Sequence, residues 1–111
     1  MDLGLSNALR STLVGCSMIL ADEVGADSIP SNIMLPDRVA TKRITFLGEK
    51  KAAREGRSVE EVRAESLTAI PAGRYGDPEE YADVAAVLAS ARASNITGRM
   101  IRGDGGYVSN V

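Results

Sequence analysis

Histidine is absent from this chain, and cysteine occurs once, as Cys16. A disulfide within the chain is therefore impossible, and so is a zinc site built from cysteine and histidine. The lone thiol also has no imidazole to activate it as a nucleophile. No apolar run approaches the roughly 20 residues that a membrane-spanning helix needs. The N-terminus shows no basic segment followed by an apolar core, so no secretory leader is legible. Neither charge sign dominates: 15 acidic residues stand against 13 basic ones, giving −2. Interspersed charge of that size favours neither nucleic acid nor an anionic membrane as partner. An intracellular, cytoplasmic setting is the expectation. No internal repeat is visible.

What remains is an ordinary globular composition. The 111 residues are 44% hydrophobic and 25% charged, which suits one modest domain. Leu5, Leu9, Leu13, Cys16, Leu20 and Val24 recur at spacings of three and four, which predicts a helix over 3–24 with Gly25 as its stop. Ala8, Val14 and Ile19 widen the stripe, so burial on more than one side is expected, with Cys16 as a core residue. The run NIML before Pro36 is too short for a helix; residues 31–35 read as a strand buried on both faces. Residues 41–68 are rich in Lys, Arg, Glu and Ala, and Gly56 divides them. Ser58 followed by Glu61 is a capping-box pattern that starts a second helix near Val59. This excursion reads as a solvated, mobile helical hairpin. In DPEEYADVAAVLASA, Asp77 is the predicted N-cap, Pro78 the first helical residue and Glu80 the completion of the box. Tyr81, Val84, Ala85 and Leu88 form its expected inner face. GRMIRG at 98–103 is a second short strand, and DGGYVSNV a turn and tail. The order helix, strand, helical excursion, helix, strand is a strand–crossover–strand unit with a helix in front, of the α/β class.

The stretch IPAGRYGDPEEYADVAAVLASARASNITGRMIRGDGG, residues 71–106 with the preceding Ile70, resembles the C-terminal signature of the short-chain dehydrogenase/reductase family, of the 3-oxoacyl-ACP-reductase type. That signature runs proline–x–glycine–arginine–x–glycine–x–proline–glutamate–glutamate, a helix, alanine–serine–x–x–threonine–glycine, then aspartate–glycine–glycine. NIMLPDRVAT resembles the strand and loop that close over the nicotinamide in that family. The resemblance implies the C-terminal portion of a Rossmann-type doubly wound fold: two short parallel strands with packing helices, without the N-terminal nucleotide-binding half. Within one partial domain over 1–111 it assigns 1–25 to the former active-site helix and 31–41 to the strand and nicotinamide loop. Residues 42–70 become the lid-like excursion, and 71–111 the last helix, strand and tail.

For the site, the resemblance implies losses. No glycine-rich phosphate loop follows a strand near the start; Gly103, Gly105 and Gly106 lie after the last strand, lead into no helix, and read as a turn with positive φ. Leu3 falls at the family's tyrosine and Asn7 at its lysine. Leucine cannot donate a proton, and asparagine cannot lower a tyrosine pKa by charge. No catalytic residue is therefore assigned; Ser6 and Asn7 read as a helix start with local hydrogen bonds. Vestigial cofactor contacts fall on Pro36, Val39 and Thr41, where the family sets main-chain groups and a threonine hydroxyl against the carboxamide of NAD(P). For Thr41 a second role stays open, capping the helix that follows. Asp37 replaces a family glycine and would strain the loop if its φ were positive. No cofactor is expected for the isolated chain.

Glu79 and Glu80 read as helix-start residues, Arg99 and Arg102 as surface charges, and Tyr75, Tyr81 and Tyr107 as scattered. Two short parallel strands are marginal alone, and an exposed stripe on the first helix should pair with something. The expectation is a homodimer or higher homo-oligomer, or a complex with a full-length relative, without self-sufficient oxidoreductase activity. The alternative is an NAD(P)-dependent oxidoreductase completed by another chain or by a missing N-terminal half.

Overall fold

The computed structural model of the chain describes residues 3–108. The elements are α1 (Leu3–Val24), β1 (Ile33–Pro36), α2 (Lys42–Glu55), α3 (Val59–Thr68), α4 (Pro78–Leu88) and β2 (Met100–Gly103). Short 3-10 turns occupy Gly25–Asp27 and Ala91–Ala93. β1 and β2 form one two-stranded sheet. Their register is parallel: Ile33 N–H donates to the Arg99 carbonyl at 2.8 Å, and Asp37 N–H donates to the Gly103 carbonyl at 3.1 Å. The connection between parallel partners must be long, and here it carries three helices.

Local chemistry sets most boundaries. Gly56 takes a left-handed φ of 64° and returns its N–H to the Ala52 carbonyl, which ends α2. Ser58 accepts from the Glu61 N–H at 3.1 Å, while Glu61 Oε2 accepts from the Ser58 N–H at 3.3 Å, a complete capping box. At α4 only the glutamate half of the expected box forms: the Asp77 N–H donates to Glu80 Oε2 at 2.8 Å. Glu80 also takes two hydrogen bonds from the Arg74 guanidinium, at 2.8 and 2.7 Å. Those bonds hold its carboxyl well below the usual range, at about 2.

The chain divides into two compact units. The first comprises Met1–Leu35 and Val84–Ile101. A polar seam organises it. The hydroxyls of Ser17 and Ser31 lie 3.0 Å apart, and the Ser31 N–H donates to Thr97 Oγ1 at 3.0 Å. Asn32 uses both ends of its amide, donating to the Ile96 carbonyl at 2.8 Å and accepting from the Arg99 N–H at 3.1 Å. Buried apolar residues of this unit are the small Ala21 and Ala93. Leu5, Leu9 and Leu13 are 59%, 66% and 64% exposed. The burial expected for this stripe is therefore not found, and Cys16 is exposed rather than a core residue. The helical periodicity is real, but among the described residues Leu5, Leu9 and Leu13 stay uncovered. Ile33, Met34 and Leu35 are half-buried, not buried on both faces, because β1 has a single neighbouring strand. On α4, Leu88 is half-buried while Val84 and Ala85 are exposed, so the expected inner face is only partly covered.

The second unit comprises Pro36–Asp83 and Arg102–Val111. Its core is Ala52, Val62 and Ile70. The α2–α3 hairpin, expected to be solvated, contributes two of those residues. Against Ile70 lies Gly105, at φ 63°, where a Cβ would come within 2.7 Å of Ile70 Cγ2. Gly105 and Gly106 bear out the positive-φ turn; Gly103 does not have positive φ but abuts the Tyr81 ring, 2.9 Å from where its Cβ would be. Asp104 is buried and satisfies this turn, accepting from the Gly106 N–H at 2.9 Å and the Val108 N–H at 3.2 Å. Among the described residues no helix is long and apolar enough to cross a membrane, and no cluster of metal-ligating side chains occurs.

Candidate functional site

The loop after β1 is held almost entirely by its own backbone. The Asp37 carboxylate accepts from the Arg38 N–H at 2.8 Å. Asp37 does not take a positive φ; Arg38, the next residue, does, at 54°. Asp37 thus avoids the strain and instead pins its strained neighbour. Val39 then pairs with Gly76 in an isolated parallel bridge. The bridge uses the groups on either side of Val39: Gly76 N–H donates to the Arg38 carbonyl at 2.9 Å, and Ala40 N–H donates to the Gly76 carbonyl at 2.8 Å. No hydrogen bond among the described residues takes up the N–H or the carbonyl of Val39 itself. A donor and an acceptor therefore stand side by side on one residue of a fixed loop. That pair matches the acceptor and donor of a carboxamide.

Thr41 occupies the N-cap position of α2, and its carbonyl accepts the first helical N–H groups, from Ile44 at 3.0 Å and Thr45 at 3.2 Å. Its hydroxyl makes no capping hydrogen bond. Of the two roles left open for Thr41, it holds the N-cap position, but through its backbone and not through its hydroxyl.

A cavity of about 470 Å³ opens within the second unit, in the size range of small-molecule sites. Arg38 and Thr41 come to it from the loop, Ile44 and Lys51 from α2, and Val62 and Ser66 from α3. Tyr75 and Tyr107 complete its wall. Of the three cofactor contacts expected from sequence, Thr41 lines this cavity, whereas Pro36 and Val39 do not. Pro36 is the exposed last residue of β1. Asn7 is exposed on α1, in the first unit, and the side chain of Leu3 lies outside the described residues.

The charges around the cavity are unevenly paired. Lys51 Nζ donates to Glu65 Oε1 at 2.8 Å, and Arg57 also donates to this carboxylate. The two cations hold the Glu65 carboxyl below its ordinary range, Lys51 first. The Arg38 guanidinium stacks 4.2 Å from the Tyr107 ring centre and reaches Ser66 Oγ at 3.4 Å. Its Nε is buried with no hydrogen-bond partner. Arg63 lies 5.8 Å from the Tyr75 ring centre. Sequence reading missed these residues. Tyr75 and Tyr107 looked scattered because the groups that give them meaning, Arg63 and Arg38, sit on other elements at no recognisable spacing.

Two parallel strands, crossover helices and a loop with an unspent main-chain donor–acceptor pair define a partial Rossmann-type α/β fold. A family model described as enoyl-(acyl carrier protein) reductase matches residues 3–108. The chain belongs to the short-chain dehydrogenase/reductase family. It is 34% identical over 101 residues to the 3-oxoacyl-acyl-carrier-protein reductase FabG of Thermotoga maritima, covering 91% of this chain and 37% of that protein. It is 29% identical over 106 residues to the NADPH-dependent reductase BacG of Bacillus subtilis, covering 96% of this chain and 41% of that protein. A short-chain dehydrogenase family protein of Francisella tularensis superposes with a TM-score of 0.84 at 27% identity, over 91% of this chain and 42% of that one. L-sorbose reductase of Gluconobacter frateurii, solved with NADPH and L-sorbose, superposes with a TM-score of 0.83 at 25% identity, over 95% and 40% of the two chains. These 111 residues thus span about two fifths of the proteins they match.

Proposed function

We propose that this chain supplies the carboxyl-terminal portion of a short-chain-reductase-like fold, including the loop that faces a nicotinamide, and does not transfer hydride by itself. The supporting observation is the loop Pro36–Thr41. Its bridge to Gly76 leaves the Val39 N–H and carbonyl unspent, and the Thr41 hydroxyl is not consumed in capping. Such a loop can orient a carboxamide by a donor, an acceptor and a hydroxyl. Orientation alone does not hold a dinucleotide, whose pyrophosphate needs backbone amides at a glycine-rich helix start. NAD(P) is accordingly the cofactor class of this loop, bound weakly by the isolated chain. Leu3 and Asn7, at the family's tyrosine and lysine, provide neither a proton donor nor a charge to activate one.

A second element of the proposal is association. Leu5, Leu9, Leu13 and Ile19 on α1 are all more than half exposed. Such a stripe in water favours a partner. The simplest is a second copy in a twofold homodimer; the alternative is a chain that carries the nucleotide-binding half, with which a complete NAD(P)-dependent oxidoreductase would form.

Titration of the purified chain with NADPH and NADH, followed by nucleotide fluorescence and calorimetry, tests the first element. Binding should be too weak to saturate at micromolar nucleotide, and no hydride transfer to a 3-oxoacyl thioester should occur. Micromolar binding together with turnover by the chain alone overturns the proposal.

A further inference from the structure

We infer that the cavity of the second unit is a binding site for a small organic carboxylate, its anionic end seated on Arg38 and its carbon body between α2 and α3. Three observations carry this. First, Arg38 has donors to spare. Of its five guanidinium N–H bonds, one reaches Ser66 Oγ at 3.4 Å, and its buried Nε has no hydrogen-bond partner. The nearest acid, Asp37 Oδ1, lies 3.7 Å from Nε, beyond hydrogen-bond reach, and already accepts from the Arg38 N–H. An unpaired buried donor is unfavourable, and a carboxylate presents two oxygens to the planar guanidinium fork. Second, cations outnumber acids in the cavity wall, where Arg38, Lys51 and Arg63 face Glu65. Glu65 is committed to Lys51 and Arg57, so it offers no free acid to Arg38 or Arg63. Third, the remaining walls are mostly carbon: Ile44, Leu47, Val59, Val62 and Ala69, with the Tyr75 and Tyr107 rings. A bare inorganic anion would leave those walls wet, whereas an alkyl or aryl carboxylate fills them. Tyr107 stacks on the guanidinium and holds it in place without consuming a donor.

The inference needs no nicotinamide cofactor and is tested without one. Octanoate, 1-octanol and inorganic phosphate are titrated in turn into the ¹⁵N-labelled full chain, with amide shifts followed for each. Octanoate should shift amides of the loop 38–41, of α2 and of α3, at least tenfold more tightly than either other probe. Arg38→Gln should weaken octanoate at least tenfold and leave octanol unchanged, with Arg38→Lys intermediate. If Arg38→Gln fails to fold, Arg63→Gln serves instead and should weaken octanoate severalfold. Equal affinity for octanoate and octanol, equal affinity for phosphate, shifts confined to α1, or full octanoate affinity in a folded Arg38→Gln chain would each overturn the assignment. Failure of the nicotinamide-loop proposal would leave this assignment standing, and the converse also holds.

Discussion

The guanidinium of Arg38 lies 4.2 Å from the centre of the Tyr107 ring, so the residue after β1 that carries a positive φ is clamped by the tail after β2. The stacking fixes one wall of the cavity and aligns a loop that is otherwise held by its backbone pairing with Gly76 and by the Arg38–Ser66 hydrogen bond. It also explains how a non-glycine residue persists in the left-handed region there. The strain of roughly 1–2 kcal/mol is offset by the Asp37 hydrogen bond and the aromatic contact.

Gly105→Ala should be among the most damaging single-methyl changes in the chain. The added Cβ would lie 2.7 Å from Ile70 Cγ2, in a residue only 2% exposed, and φ is 63°. Overpacking and backbone strain together predict a loss of about 2–4 kcal/mol. Gly106→Ala, whose Cβ would meet Pro71 at 3.4 Å, should lose only about 1 kcal/mol. Urea denaturation of the two variants checks both the direction and the order.

Ser58→Ala removes one half of the capping box at α3 and should lower stability by about 1 kcal/mol. The effect should be local, appearing as faster amide exchange in the first turn of α3 with little change in α1. Exchange rates by NMR distinguish this from general loosening. A uniform increase across the chain would contradict the local role.

The Arg74–Glu80 pair should make the start of α4 acid-sensitive. The folded-state pKa of Glu80 is depressed from 4.5 to about 2, by the Arg74 hydrogen bonds first and the Asp77 N–H second. A depressed carboxyl contributes stability that is fully present above about 4.5 and is lost as the pH falls toward about 2. Both side chains are more than half exposed, so the contribution is small and screened by salt. The urea midpoint of the parent minus that of Glu80→Gln should therefore shrink across this window. A difference that stays constant would show that the pair does not couple to folding.

Leu9→Asp combined with Leu13→Asp places two charges on the exposed stripe of α1, where the parent residues are 66% and 64% exposed. Folding should be almost unaffected, because neither side chain is in the core. Sedimentation velocity should show the parent chain associated and the double variant monomeric. A parent that sediments as a monomer at every concentration would refute the association proposed for this face.

Local signals in the sequence were reliable where a boundary depends on a few adjacent atoms. Gly56, Ser58 with Glu61, and Pro78 all act where their chemistry placed them, because a cap or a left-handed residue is decided within one turn. The strands were found within two residues of their observed ends. The helical period of α1 was equally legible, yet its burial was not. Periodicity shows that a face is apolar; whether anything lies against it depends on what other chain is present. Cys16, on that stripe, is exposed rather than in the core.

The amino-acid order by itself determined the succession of elements and the family resemblance of the loop and tail. Only the tertiary structure decided which side chains share a cavity. Arg38, Ser66, Tyr75 and Tyr107 come from a loop, a helix, a second loop and the tail, and no spacing along the chain announces their meeting. It decided too that Arg38 rather than Asp37 bears the strained φ, and that the Val39 amide and carbonyl stay unspent. Backbone pairing is fixed by which segments run side by side, and that is a property of the packed sheet rather than of any one stretch of residues.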